Sequence, residues 1–200
     1  AMAHQAQLRM LRYQLNPHFL FNTLNAISTL VLENRREQAN GMVGALSGFL
    51  RHSLDSDPEQ KVTLEQEIGA IRRYLAIEQL RFGERLRIDI DVHPHAGTAR
   101  VPGLILQPLI ENAVKFAVSP REQGGHVRIV AGVDGRVLEI TLCDDGPGSP
   151  DYESSEPGRH GVGLANTRER LHVLYGERHE FTIRRLQPQG TQVRLRIPFE

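Results

Sequence analysis

The sequence predicts an α+β protein in two parts, an all-helical unit over about residues 1–82 and an α/β sandwich over about 84–200. The spacing of apolar residues predicts this division. In the first part they recur every three or four positions, as on the buried face of a helix. In the second part, short runs of alternating polar and apolar residues are separated by glycine-containing turns, which is typical of paired strands.

The first part contains three predicted helices. The first helix carries an apolar stripe that we expect to be buried, formed by Leu20, Leu24, Ile27 and Val31. The second helix covers roughly Glu37 to Leu54 and ends at the breaker segment 55–58. The third helix is expected to begin near Thr63, where Thr63 and Gln66 form a capping-box pair, and to end near Phe82-Gly83.

The second part alternates predicted strands and helices. Strands are expected at 87–92, 126–133, 136–143, 181–186 and 192–197, with turns at Asp134-Gly135 and Gly190. One helix is predicted over Val101–Ala117, with Pro102 in its first turn. The other is predicted over Leu164–Tyr175 and is closed by Gly176.

Composition and charge exclude several functions. The 24 basic and 24 acidic residues cancel and Trp is absent, so no direct contact with nucleic acid is expected. The single cysteine, Cys143, cannot form a disulfide within the chain, and no run of about 18 apolar residues suits a membrane span. A cytoplasmic setting is therefore predicted, and Ala1-Met2-Ala3 suggests a fragment excised from a longer protein.

His18 is the candidate nucleophile of the helical part. On a helix it lies roughly 160° around the axis from Leu20, on a polar stripe with Asn22 and Asn25. An exposed neutral imidazole is a competent nucleophile near pH 7. The alternative interpretation is an ordinary surface histidine.

Pro17 allows two interpretations of the same helix. Asn16 could cap a helix that begins at Pro17. Helical periodicity also continues upstream, through Leu8, Leu11 and Leu15, so we expect Pro17 to kink a continuous helix rather than to begin one.

Two segments of the second part predict contacts to a nucleotide. Glu111, Asn112 and Lys115 share one edge of a helix, where a carboxamide can ligate Mg²⁺ and a lysine can meet phosphate. Asp144 ends a buried strand and can accept a hydrogen bond from an adenine amino group. Gly146 and Gly148 follow it and allow the backbone to approach a ring closely.

A third segment predicts a phosphate site. Gly161 and Gly163 precede a helix N-terminus, whose amides and dipole favour phosphate. The polar stretch 149–160 is expected to form a lid over the nucleotide. Each segment alone also fits a surface helix, a polar turn or a glycine-rich loop, but together they predict a nucleotide site. The site is of neither the Walker nor the dinucleotide-binding class, because neither motif occurs.

These motifs resemble those of a known family. Asn112, Asp144-x-Gly146-x-Gly148 and Gly161-x-Gly163 resemble the N, G1 and G2 boxes of the Bergerat-fold (GHKL) ATP-binding superfamily. The segment 16–22 (NPHFLFN) resembles the phosphoacceptor box of the LytS-type sensor histidine kinases. Further stretches match as well, among them Leu64-x2-Glu67, Gln107-Pro108-Leu109 and Tyr175-Gly176, so that the resemblance covers nearly the whole chain from about Gln7.

The resemblance implies a fold and a function. The fold would be a helical dimerisation and phosphoacceptor hairpin followed by a Bergerat-fold sandwich, a mixed sheet covered by helices on one face. The chain would be the catalytic core of a bacterial two-component sensor histidine kinase, which transfers the γ-phosphoryl group of ATP to His18 and then to an aspartate of a response regulator. The regulator would typically carry a LytTR-type DNA-binding domain, the helices would form a homodimer, and a sensor in the inner membrane would precede this cytoplasmic part.

The resemblance also implies roles for individual residues. Asn112 would hold Mg²⁺, Asp144 would read adenine, and Thr191 would support the adenine site. The other members of the ATP pocket and lid would be Lys115, Gly146, Gly148, Gly161, Gly163 and Leu164. No acid follows His18, because the next residue is Phe19, and Glu111 is a candidate for assistance on the nucleotide side only.

Two other functions are considered beside the histidine kinase. A GHKL-type ATPase or protein serine kinase would use the same pocket without His18, and the phosphoacceptor box in a helical unit counts against it. A degenerate kinase would bind nucleotide only as a scaffold, and the intact N, G1 and G2 residues count against that.

Overall fold

The computed structural model of the chain describes residues 16–55, 60–148 and 162–200. The chain forms two compact units, one comprising 1–57 and 72–83 and the other 58–71 and 84–200. The second unit therefore includes residues 58–71, which precede the predicted boundary at 82–84. The expected lid at 149–160, Gly161 and the upstream residues Leu8 to Leu15 lie outside the described residues.

The first unit contains a helical hairpin of α1 (Pro17–Leu32) and α2 (Arg36–Asp55). Helix α1 begins at Pro17, because Asn16 has an extended backbone and its side chain caps the helix. The Asn16 carboxamide accepts from the backbone N–H groups of His18 and Phe19 at 3.1 and 3.3 Å. The prediction that Pro17 kinks a continuous helix is therefore wrong, since no helix runs through Asn16.

The buried face of α1 also differs from the prediction. Phe19, Thr23 and Leu30 are buried, whereas Leu24 and Val31 are 54% and 56% exposed. The prediction that Leu24 and Val31 belong to the buried face is therefore wrong for the described chain, because periodicity does not report what covers a stripe. In the single chain, α2 packs against the neighbouring stripe, where Leu30 joins Ala39 and Met42 in a small core.

Helix α3 (Leu64–Phe82) confirms the predicted start and end of the third helix. The capping box is present, because the Thr63 N–H donates to Gln66 Oε1 at 2.9 Å and the Gln66 N–H donates to Thr63 Oγ1 at 3.2 Å. Gly83 follows with a positive φ of 59°. The helix belongs to both units, since residues up to 71 group with the second and residues from 72 with the first.

The second unit is built on a five-stranded mixed sheet in the order β2-β4-β5-β7-β6. The strands are β2 (Leu86–Val92), β4 (Gly125–Asp134), β5 (Val137–Asp144), β6 (Glu180–Arg185) and β7 (Thr191–Pro198). Only the β2–β4 pair of this sheet is parallel. Alternate residues of β4, β5 and β7 are buried, so one face of the sheet forms the core and the other is partly exposed.

Helices cover the buried face of this sheet. Helix α5 (Gln107–Ala113) packs on β5, and the π-helical turn Val114–Val118 packs on β4. Helix α6 (Val162–Tyr175) packs against α5 and ends at Gly176, which has a φ of 54°. A one-turn helix, α4 (Pro94–Gly97), follows β2. The α+β class, a helical part followed by a mixed sheet with helices on one face, is confirmed.

The helix predicted over Val101–Ala117 is wrong in its first six residues. Strand β3 (Arg100–Pro102) pairs antiparallel with β1 (Lys61–Thr63), and Pro102 belongs to this pair rather than to a helix. Leu104 then adopts a φ of 58°, and α5 begins only at Gln107, with Pro108 in its first turn. The partner strand lies about forty residues earlier in the sequence, so local periodicity contained no sign of it.

Among the described residues, no helix is both long and apolar enough to span a bilayer.

Candidate functional site

His18 lies in the first turn of α1 and is exposed. The Asn22 side-chain nitrogen, one turn later, lies 3.1 Å from His18 Nδ1 and 3.3 Å from Nε2. Because the lone pairs of the two ring nitrogens diverge, one amide cannot lie along both of them. The amide can therefore donate to at most one ring nitrogen at a time, and the other nitrogen of this exposed imidazole remains available for nucleophilic attack.

Phe19 explains why no acid follows the histidine. Its side chain is 4% exposed, and its ring centroid lies 5.2 Å from that of Phe49 and 5.0 Å from that of Tyr74. A carboxylate at this position would be buried among aromatic rings without a partner. Position 19 therefore serves the core of the helical unit, and an unpaired carboxylate there would be destabilising.

Asp144 ends β5 in the second unit and is 8% exposed. Its Oδ1 accepts from the Gly146 N–H at 2.9 Å, and both the backbone N–H and the hydroxyl of Thr191 donate to its carboxyl group. The pKa of Asp144 is raised to about 6, chiefly by burial and also by the nearby negative charge of Asp145, while the hydrogen bonds from Gly146 and Thr191 oppose the shift. A buried, partly satisfied carboxyl group of this kind marks a candidate ligand site.

Glycines surround Asp144 where a side chain would not fit. A Cβ at Gly146 would lie 2.7 Å from the Cα and Cβ of Ala117, so the turn after β5 touches the π-helical turn directly. A Cβ at Gly190 would lie 2.6 Å from the Asp144 carbonyl oxygen, and Gly190 has a φ of 126°. Gly148 has a φ of 81° and lies near the Thr191 hydroxyl.

The other predicted nucleotide residues lie on α5, the π-helical turn and α6. Glu111 and Asn112 are partly buried in α5, and Glu111 accepts from Gln107 Nε2 at 2.9 Å. Lys115 is exposed, with its ammonium 4.8 Å from the Phe116 ring centroid. At the start of α6, Leu164 is buried and Gly163 is close-packed, because a Cβ there would lie 3.2 Å from Pro108 Cβ.

The structure thus brings some of the predicted site residues together. Asp144, Gly146 and Thr191 meet through hydrogen bonds, and Gly163 joins the start of α6 to the start of α5. Gly161 lies outside the described residues.

The buried Glu67 and the partly buried Arg170 both support the loop before α5, and neither was singled out as a site from the sequence. Glu67 accepts the N–H groups of Leu104 and Leu106, each at 2.9 Å, and Arg170 donates to the Gly103 carbonyl oxygen at 3.0 Å. Burial raises the pKa of Glu67, while these hydrogen bonds and the charge of Arg170 oppose the shift. The match of Leu64-x2-Glu67 to the family pattern was the signal that could have found it.

The described part of the chain offers few ligands to a metal ion. Within the described ranges, no three His, Cys, Asp or Glu side chains cluster closely enough to hold one. A divalent cation at this site would therefore depend on a neutral side-chain oxygen such as that of Asn112, with further oxygens from a bound phosphate chain.

Two family models match the chain. The model described as "Histidine kinase" matches residues 6–86, and the model described as "Histidine kinase-, DNA gyrase B-, and HSP90-like ATPase" matches residues 97–200.

Curated relatives match along almost the entire chain. The chain is 35% identical over 194 residues to the sensor histidine kinase YesM of Bacillus subtilis (strain 168), which covers 97% of this chain and 33% of that protein. It is 32% identical over 205 residues to the sensor protein LytS of Enterococcus faecalis, covering 98% of this chain and 34% of that protein. The chain therefore spans about a third of the length of these relatives.

A solved structure shares the fold. The histidine kinase domain of a blue-light activated histidine kinase from Erythrobacter litoralis aligns with a TM-score of 0.53 at 19% sequence identity. The alignment covers 97% of this chain and 91% of that chain.

Proposed function

This chain belongs to the family of histidine kinase-, DNA gyrase B- and HSP90-like ATPases. We propose that it is the catalytic core of a LytS-type sensor histidine kinase and uses ATP to phosphorylate His18. The observation that carries the proposal is the presence of two complementary sites in one chain. One is an exposed imidazole in a helical unit, and the other is a buried carboxyl group among close-packed glycines. We propose residues 1–82 as the phosphotransfer region and 84–200 as the ATP-binding region.

The reaction is a phosphoryl transfer to nitrogen. A lone pair of the His18 imidazole attacks the γ-phosphorus, the bond from that phosphorus to the bridging oxygen breaks, and ADP leaves with the electron pair. The remaining imidazole proton passes to solvent. Such a transfer needs alignment and charge stabilisation more than covalent assistance, which agrees with the absence of an acid beside His18.

The second unit would bind the nucleotide. Asp144 would accept from the adenine amino group, and Thr191 would hold that carboxyl group in place. Gly146 and Gly148 would give the base close access to the backbone, while Gly163 and Leu164 at the start of α6 would contribute to the phosphate site. Gly161, which lies outside the described residues, would belong to the same site. Lys115 would add a positive charge for the phosphates, and Glu111 would assist on the nucleotide side.

Asn112 would hold Mg²⁺ against the triphosphate. The cation would neutralise charge on the phosphates during transfer. A single carboxamide suits this ion, because Mg²⁺ in nucleotide sites takes most of its ligands from phosphate and water.

The partners of the whole protein are part of the proposal. The exposed apolar residues of α1, including Leu24, Val31 and Leu32, would be covered by a second copy of the chain in a homodimer. Phosphorylated His18 would pass its phosphoryl group to an aspartate of a response regulator with a LytTR-type DNA-binding domain. A membrane-bound sensor would precede this part and leave it in the cytoplasm.

The experiment is incubation of the purified chain with γ-labelled ATP and Mg²⁺, beside His18→Gln and Asn112→Ala. We expect acid-labile, base-stable label on the parent chain and none on either variant. His172→Gln is the matched control, because His172 is also an exposed helical histidine, and it should label like the parent.

Other outcomes would replace the proposal. Label that survives His18→Gln would place the acceptor elsewhere and favour a serine kinase. ATP hydrolysis without label would favour a GHKL-type ATPase. Nucleotide binding that depends on Asp144, without label or hydrolysis, would favour a nucleotide-binding scaffold.

A further inference from the structure

Asp145 lies between the two residues that shape the proposed adenine site, Asp144 and Gly146, but it makes a different set of contacts. Its Oδ1 accepts from the His126 N–H and from Arg121 Nη1, each at 2.9 Å. Its backbone oxygen accepts from the side chains of Arg121 and Gln189, each at 3.0 Å. The turn after β5 is therefore tied to three other segments through this one residue.

Arg121 is the principal partner of Asp145. The same Nη1 that donates to the carboxylate and the carbonyl oxygen of Asp145 lies 3.3 Å from the carbonyl oxygen of Ala117. The Arg121 side chain is only 16% exposed, and its own carbonyl oxygen accepts from Arg85. One guanidinium group thus connects the turn after β5 to the π-helical turn Val114–Val118.

These two turns touch with no space for a side chain. A Cβ at Gly146 would lie 2.7 Å from Ala117 Cα, and a Cβ at Gly125 would lie 2.6 Å from the Ala117 carbonyl oxygen and 3.1 Å from Asp145 Oδ1. Packing this close tolerates little displacement of either turn, and one charged pair bridges them. That pair is Arg121 and Asp145.

We propose that Arg121 and Asp145 are positioning residues of the nucleotide site, whose ion pair holds the Asp144–Gly146 turn against the π-helical turn that follows Asn112. The proposal rests on the proposed function, in which Asp144 contacts adenine. Neither residue contacts the nucleotide in this arrangement.

The pair also has an electrostatic consequence for Asp144. Burial is the main cause of the raised pKa of Asp144, and the charge of Asp145 adds to it. Two cations offset the Asp145 charge, Arg121 at 2.9 Å and Arg87 at 3.5 Å. Arg185 adds a further positive charge near Gly148. Removal of Arg121 would therefore leave more negative charge beside Asp144 and raise its pKa.

The test measures the dissociation constant for adenosine as a function of pH, and KM and kcat for ATP, on the full chain. The variants are Arg121→Met, Arg121→Lys, Asp145→Asn and the double variant Arg121→Met/Asp145→Asn. Arg136→Met is the matched control, because Arg136 is exposed at the β4–β5 hairpin, at the far ends of these strands from Asp144.

We expect Arg121→Met to weaken adenosine binding about tenfold, which corresponds to the loss of a charge-assisted hydrogen bond. The KM for ATP should rise with little change in kcat. The pH midpoint of binding should move upward in Arg121→Met and return to the parent value or below in the double variant. The double variant should bind no more weakly than Arg121→Met alone, because both substitutions break the same pair. Arg121→Lys should keep the parent midpoint, and Arg136→Met should behave like the parent.

Several results would overturn the inference. If Arg121→Met binds adenosine with the parent affinity and the parent pH midpoint and differs only in a lower melting temperature, the pair stabilises the fold and does not position the nucleotide site. If Arg121→Met does not fold, parent affinity and parent pH midpoint in Asp145→Asn would overturn the inference. A parent chain that binds no adenine nucleotide would overturn the proposed function as well, whereas a binding parent with unaltered variants would overturn this inference alone.

Discussion

Binding of adenine should weaken as the pH falls through 6, because the proposed acceptor loses its charge there. The pKa of Asp144 is raised to about 6, mainly by burial. At pH 8 the group is almost fully ionised, and at pH 5 only about a tenth of it is. The association constant for adenosine should therefore fall about tenfold between pH 8 and pH 5, since the protonated carboxyl group is a much weaker acceptor for the adenine amino group than the carboxylate.

Titration calorimetry with adenosine is the suitable assay, because adenosine lacks phosphates that titrate in the same range. Asp144→Asn is the control, since its carboxamide can still accept one hydrogen bond but cannot ionise. The variant should bind more weakly at pH 8 and show little change with pH. Equal pH dependence in the parent and the variant, or tighter parent binding in acid, would refute the assignment of Asp144 to adenine.

The same shift predicts the opposite effect on stability. Because the pKa of Asp144 is higher in the folded than in the unfolded chain, the folded state takes up a proton more readily between pH 3.8 and about 6. The stability that protonated Asp144 contributes is therefore fully present below pH 3.8 and is lost as the pH rises through 6. At pH 8 the ionised carboxylate lowers the free energy of unfolding by up to about 3 kcal/mol. In denaturant unfolding, Asp144→Asn should therefore be more stable than the parent at pH 8 and should lose that advantage below pH 4.

Three further substitutions test the packing around the proposed sites. Gly146→Ala should weaken nucleotide binding at least about tenfold and lower the free energy of unfolding by about 1–3 kcal/mol, because its Cβ would overlap Ala117. Gly132→Ala is the control and should change both little, since no atom lies within 4 Å of a Cβ there. Calorimetry measures binding, and denaturant unfolding measures stability. Phe19→Ala should cost about 3–5 kcal/mol of stability in the helical unit by circular dichroism, and a loss below about 1 kcal/mol would contradict its core position. Asn16→Ala should cost about 1 kcal/mol through loss of the helix cap, while Asn16→Asp should not; equal losses would argue against the cap.

Most local elements could be predicted because their causes are local. The Thr63–Gln66 capping box, the turn at Gly135 and the helix end at Gly176 depend on side-chain hydrogen bonds or positive φ angles within a few residues. The two motif-bearing residues Asp144 and Thr191 were also found from the sequence, through the resemblance to a known family. Their direct hydrogen bonds were not predicted, because they depend on the register of β5 and β7.

The amino-acid sequence by itself determined the α+β class, the exposed place of His18 on a helix and the place of Asp144 at the end of a strand. Only the tertiary structure decided which stripe α2 covers, where α5 begins, and that Arg121 holds Asp145. The physical reason is that periodicity and capping report interactions within one or two turns of chain. Pairing between β1 and β3, close contact between Ala117 and Gly146, and the burial that raises the pKa of Asp144 join residues distant in sequence, and these exist only once the chain has packed.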